Sequence, residues 1–168
     1  MAHGVIRTDN MLGTDVGTHL VSFKYQPSST DTAIDNGNVV VIGNLITGER
    51  EVHTATTPTK TTALAKIAVV ASVEVMYDEH KKNLDDFYNE AGKICRGFYL
   101  HSKDVFSVTA DALNIGAAIT PAVGDIVELI DGAKMSIVKS LTSGSTQVGT
   151  IISIEKTGRY TYYAIQIA

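Results

Sequence analysis

Five histidines, one cysteine and a short acidic run are the side chains of this chain with the most scope for chemistry. His3, His19, His53, His80 and His101 are dispersed, and none lies two or four residues from another, so no local pair is spaced to hold a metal ion. Cys95 is alone, which excludes an internal disulfide and a cysteine-based metal cluster. With no base near it in sequence, it reads as a small buried apolar side chain rather than a nucleophile. Asp78-Glu79-His80 and Asp85-Asp86 are the densest acidic region. Paired carboxylates there could serve as acid and base or bind a divalent cation. The competing reading is a solvated loop followed by a charged helix start, where the helix dipole favours negative charge, and we take that one. Tyr160, Tyr162 and Tyr163 could form an aromatic platform for sugars or a partner protein, against the plainer role of cross-strand packing. Phosphate-loop, dinucleotide, zinc-protease, serine-hydrolase and calcium-loop motifs are absent from the sequence. The expectation is a non-enzymatic protein with no catalytic residue, cofactor or metal.

Composition narrows the partners. The net charge is −4, and the only basic run, His80-Lys81-Lys82, is surrounded by Asp78, Glu79, Asp85 and Asp86. Such a chain is poorly suited to grip a phosphate backbone, so no nucleic-acid partner is expected. No apolar run is long enough to span a membrane, and MAHGVIRTDN lacks the apolar stretch of a signal peptide. Synthesis in a reducing cytoplasm is the expectation. At 168 residues with 44% hydrophobic content, one domain plus an arm is the natural organisation.

The elements that must position these residues are mostly strands. Residues 1–37 are interrupted by Gly4, Gly13, Gly17 and Gly37, with one alternating stretch at His19–Tyr25. Val5, Ile6, Met11, Leu12, Val16, Leu20 and Phe23 make the segment too apolar for a solvated tail. Of two readings, a disordered leader or an extended arm ordered on another subunit, we take the arm, with those seven residues as candidate partner contacts. Residues 38–168 read as a β-rich domain. Asn38–Gly43 and Glu49–Thr54 form a hairpin across Thr47-Gly48, and β-branched residues tip Ala63–Ser72 toward strand. Leu84, Phe87, Tyr88 and Ala91 share one helical face, with Asn83 and Asp86 placed to cap and Gly92 to terminate, which predicts a short helix over 84–91. Ile94–Leu100 and Val105–Thr109 read as a second hairpin.

Residues 123–168 read as a two-hairpin module. Asp131-Gly132 signals a tight turn that places Ile126, Ile130, Met135 and Ile137 on one face, with Glu128 awkwardly among them. For the last hairpin, a Lys156-Thr157-Gly158 loop sets Glu155 against Arg159 and pairs Ile152 and Ile154 with Tyr162 and Tyr160. A shorter turn would swap the tyrosines to the other face. The expected fold is mainly β, a compact barrel or sandwich of short antiparallel hairpins with one short helix.

Two stretches carry a resemblance. One is Val73-Glu74-Val75-Met76-Tyr77-Asp78-Glu79, then Leu84, Phe87, Asn89-Glu90-Ala91-Gly92-Lys93, Arg96-Gly97-Phe98-Tyr99-Leu100, Asp104 and Phe106-Ser107-Val108. The other is Val123-Gly124-Asp125, Val127-Glu128 and Val148-Gly149-Thr150-Ile151. Together they resemble small virion proteins of tailed bacteriophages, of the head-decoration or capsid-cement kind, over about residues 38–168. The resemblance implies a protein on the outside of the capsid shell that binds the major capsid protein and reinforces contacts between capsomers, as a homo-oligomer or through contacts with neighbouring copies. A tail or baseplate role, and a glycan-binding module using Tyr160 and Tyr162, are the alternatives.

Overall fold

Strand outweighs helix by 41% to 10% in the computed structural model, which describes residues 2–168, so the fold is mainly β. The strands are β1 (Ile6–Asn10), β2 (Leu20–Tyr25), β3 (Val39–Leu45), β4 (Val52–Thr56), β5 (Ile67–Val70), β6 (Cys95–Tyr99), β7 (Val105–Thr109), β8 (Leu113–Ile115), β9 (Ile126–Glu128), β10 (Met135–Val138), β11 (Gln147–Thr157) and β12 (Tyr160–Ile167). A single turn of α-helix, α1 (Leu12–Asp15), lies between β1 and β2. The strands form a closed five-stranded barrel, β2-β4-β3-β5-β6, and an open sheet ordered β1-β7-β12-β11-β9-β10-β8.

Side-chain alternation builds two cores from these sheets. Val21, Phe23, Tyr25, Val40, Ala55, Ala68, Val70 and Cys95 come from all five barrel strands and fill its interior. Their strand neighbours Val39, Ile67, Val69 and Phe98 point the other way, onto Phe106, Val108, Ile137, Ile151 and Ile165 of the open sheet. Strand β5 is therefore buried on both faces, which accounts for its unbroken IAVV sequence. Gly97 allows the tight filling of the barrel, because a Cβ there would stand 3.0 Å from the Phe23 ring.

The N-terminal segment is not an extended arm. Strand β1 pairs with β7, with Ile6 opposite Val108. Strand β2 closes the barrel, parallel to β4 and antiparallel to β6. Its burial alternates regularly, and of the seven apolar residues before Gly37, Val5, Ile6, Met11 and Phe23 are buried in this chain's own core and Leu20 packs against it, while Leu12 and Val16 stay exposed.

The helix expected over 84–91 is a single 3-10 turn, Leu84–Asp86. The Asp86 carboxylate accepts hydrogen bonds from the backbone N–H groups of Lys82 (3.0 Å) and Asn83 (2.9 Å), as a helix start requires. Propagation stops because Phe87 turns extended and Asn89 is held by a bridge to Ile34, with N–H to carbonyl bonds of 2.9 and 3.0 Å in the two directions. Gly92, at φ +78°, sits in a separate turn.

Strands β6 and β7 do not form a hairpin. Both edges of β6 are occupied by β2 and β5, so the chain crosses to the other sheet at residues 100–104. The buried Asp104 carboxylate organises that crossing, accepting from the N–H groups of Leu12 (2.9 Å) and His101 (3.0 Å).

Both C-terminal hairpins exist, each in a register other than the expected one. Ser136 faces Glu128 and Ile137 faces Val127, one residue off the tight Asp131-Gly132 turn. That slip puts Val127 and Leu129 in the core with Met135 and Ile137, leaving Ile126 and Ile130 only half-buried. Glu128 is buried and satisfied by the Thr142 N–H (2.8 Å) and hydroxyl (2.7 Å). In the last hairpin Thr157 faces Tyr160, and a two-residue Gly158-Arg159 connection with Gly158 at φ +60° joins them. Glu155 therefore opposes Tyr162 rather than Arg159, and Ile154 opposes Tyr163.

Candidate functional site

The residues that could do chemistry are mostly engaged in holding the fold. His53 Nδ1 donates to the Gly43 carbonyl at 2.9 Å, and His3 Nδ1 lies 2.7 Å from Asp35 with its ring stacked on Tyr88. His19 and His101 meet edge to face at 4.0 Å. Among the described residues no three His, Cys, Asp or Glu side chains converge to hold a metal ion. Cys95 is buried inside the barrel, and desolvation pushes its thiol pKa up to about 11. That is the opposite of what an activated nucleophile needs.

Asp85 anchors the tip of the last hairpin. It is buried, accepts a 2.7 Å hydrogen bond from the Tyr160 hydroxyl and pairs with the Arg159 guanidinium at 2.5 Å. Burial, and then the hydrogen bond to Asp85, raise the Tyr160 pKa. Tyr162 is buried beneath Arg7, whose guanidinium sits 4.3 Å from the ring centre while also reaching Glu155 at 3.2 Å. Tyr163 packs against the core from a half-buried position. The tyrosine strip is thus occupied within the chain and offers no open platform.

The other candidate contacts divide sharply. Val5, Ile6, Met11 and Phe23 are buried, and Leu20 packs on the core from a half-buried position. Only Leu12 and Val16, on the turn around α1, face solvent. The polar loop at 57–62 is stitched to the C-terminal module, with Lys60 N–H on Asp131 (3.0 Å) and Thr146 N–H on the Lys60 carbonyl (2.7 Å).

The largest unexplained feature is the connection between β5 and β6, residues 71–94. These two strands are antiparallel neighbours that a short turn could have joined. A connection well beyond about 15 residues, holding only the 3-10 turn Leu84–Asp86, is uncommon in a compact fold and is usually functional or a linker. Its base is fixed by Asn36, whose side chain accepts from the Ser72 N–H (3.0 Å) and donates to the Ser72 carbonyl (2.9 Å) and to Glu74 (3.1 Å). Asn89 donates to the same Asn36 oxygen at 3.2 Å.

From that base, residues 72–77 run outward with alternating exposure. Ser72, Glu74 and Met76 are half-buried, whereas Val73 (58% exposed), Val75 (52%) and Tyr77 (95%) project into solvent. The only backbone–backbone hydrogen bond within residues 73–77 is from Val75 N–H to the Val73 carbonyl. A groove of about 500 Å³ lies beside them, lined among others by Val75, Met76, Phe87, Tyr88 and the exposed Ile94. This apolar face was legible as a second-residue repeat, Val73, Val75, Tyr77. What concealed it is that the same repeat ordinarily marks the buried side of a strand.

The arrangement is an outward-facing apolar surface on a polar pedestal, suited to contact with a macromolecule. No protein-family model, curated protein or solved structure matches the chain.

Proposed function

We propose that this chain is a non-enzymatic bacteriophage virion protein that binds the outside of the capsid shell and reinforces contacts between capsomers. The observation that carries the reading is the loop of residues 71–94. The resemblance to head-decoration proteins rests mainly on segments between Val73 and Val108, of which Val73–Glu79 and Leu84–Lys93 lie in this loop, and the loop presents exposed apolar side chains. Isolated exposed apolar residues need no explanation, but several grouped beside a groove mark an interaction surface. The rigid double-core body would serve as the spacer that holds such a surface in place.

The test is co-sedimentation of the purified protein with undecorated capsid shells and, separately, with isolated tails. Saturable retention on shells and none on tails is the expected outcome. Retention on tails alone, or on neither, would overturn the reading. Truncation of residues 1–36 is not a usable probe, because it removes β1 and the barrel strand β2.

A further inference from the structure

We propose that residues 75–81 form a flap that opens and closes over the fixed half of the 71–94 loop, with Lys81 on the Tyr88 ring as its latch.

The two ends of this segment are clamped and its middle is not. At the first end, Asn36 holds both backbone groups of Ser72 and the Glu74 carboxylate. A three-residue turn, Val75 N–H to Val73 carbonyl at 2.9 Å, bends the chain immediately after. At the other end, Asp86 accepts from the N–H groups of Lys82 and Asn83. Between these points no residue is buried, and Tyr77 is 95% exposed. The hydrogen bonds of residues 76–81 stay inside the segment among the described residues. Asp78 accepts from the Lys81 N–H at its carbonyl (3.0 Å) and from the His80 N–H at its carboxylate (2.9 Å). A segment with local turns, little burial and no hydrogen bond to the body opens at low cost.

The half it faces is fixed. Asp85 is tied through its carboxylate to Arg159 and Tyr160, and its carbonyl accepts from the His3 N–H at 3.0 Å. Asn89 is bridged to Ile34, and the His3 ring stacks on Tyr88 at 4.7 Å. The groove of about 500 Å³ lies between the two halves, lined by Val75, Met76 and Tyr77 of the flap and by Phe87, Tyr88 and Ile94 beyond it. The Lys81 ammonium, 4.9 Å from the centre of the Tyr88 ring, spans the gap. An exposed cation–π contact of this kind shifts an equilibrium by about 2- to 5-fold, which biases a flap without locking it. Opening uncovers Phe87 and Tyr88, so the flap sets how much apolar surface the loop offers; that consequence rests on the loop being an interaction surface.

Electron spin–spin distance measurements on the full chain test this, with spin labels at Glu79→Cys on the flap and Thr56→Cys on β4. Both positions are exposed, and the buried Cys95 stays unlabelled. The expected distribution has two components, open and closed. Lys81→Ala should raise the open-to-closed ratio about 2- to 5-fold. Tyr88→Leu should do the same, and the double variant should go no further than either alone, since both remove one contact. A control pair at Glu90→Cys and Thr56→Cys should give one narrow distance in every variant.

A single narrow distance from the flap label would overturn the proposal. So would a ratio indifferent to Lys81→Ala, or a Glu90 distance that broadens along with the flap. The free chain carries the motion, so failure to bind shells would sink the virion role and leave the flap standing.

Discussion

Replacing Phe23 with alanine tests whether residues before Gly37 are structural. Phe23 is fully buried in the barrel interior, contributed by the strand that closes the barrel. Emptying a site of that size costs about 3–5 kcal/mol from lost transfer energy and the cavity left behind. Against a typical total stability of about 5–15 kcal/mol, that is a large fraction. For a chain of this length it corresponds to a fall in melting temperature of roughly 6–20 °C. Urea denaturation followed by far-ultraviolet circular dichroism gives the free energy directly. Leu12→Ala, at an exposed position 11 residues earlier in the same segment, is the control and should change stability by no more than about 0.5 kcal/mol. Gly97→Ala adds an internal check, since its Cβ would crowd the Phe23 ring at 3.0 Å. Alone it should destabilise by about 1–3 kcal/mol, and in the Phe23→Ala background by less, because the nearest obstruction has gone while Ala68 and Val21, each at 3.2 Å, remain. If Phe23→Ala costs under about 1 kcal/mol, the packing argument for the N-terminal strand is wrong.

Three further outcomes follow from the geometry. Gly149→Ala would place a Cβ 2.1 Å from the Gln166 carbonyl oxygen across the β11–β12 pair, so it should cost several kcal/mol or prevent folding, read by thermal melts. The Asp125 carboxyl is held below its usual pKa, chiefly by the hydrogen bond from Lys139 at 2.8 Å. Its stabilisation is therefore present above the unfolded value of about 3.9 and lost as pH falls through the lower folded value. Melting temperatures from pH 5 down to 2 should fall less steeply in Asp125→Asn than in the wild type. The remaining slope should include Asp86, whose pKa is lowered first by the Asn83 N–H. Finally, Cys95, buried and with its pKa at about 11, should resist alkylation at pH 8 in the native protein and react promptly in urea. Fast native labelling, followed by mass spectrometry, would contradict the closed barrel.

Much of the strand inventory is legible from residue type alone. Val39-Val40-Val41-Ile42 and Ile67-Ala68-Val69-Val70 are apolar on consecutive positions, and burial on both faces is complete along the second and at Val39-Val40 of the first. The 84–91 helix shows where such reading fails. Its apolar spacing and Asp86 cap are real, yet the Ile34–Asn89 bridge, between residues far apart in sequence, claims the backbone the helix would have used. The candidate site shows the same limit from the other side. An alternating Val73, Val75, Tyr77 is locally indistinguishable from a core-facing strand, and its exposure is settled only in the folded chain, where Asn36 holds the Ser72 backbone and no strand covers the residues beyond it.

What the sequence determined by itself is the β class, the approximate place of most strands and the presence of two C-terminal hairpins. These are short-range properties, set by period-two alternation, β-branching and turn residues within a few positions of one another. Only the tertiary structure decided the partners. The parallel β2–β4 pairing has no local signature, and β6 is separated from β7 because β2 and β5 already fill its edges. The register at Glu128 was decided the same way, by a buried carboxylate that finds Thr142. Alternation records which side of a strand is apolar; it carries no information about which distant surface will cover it.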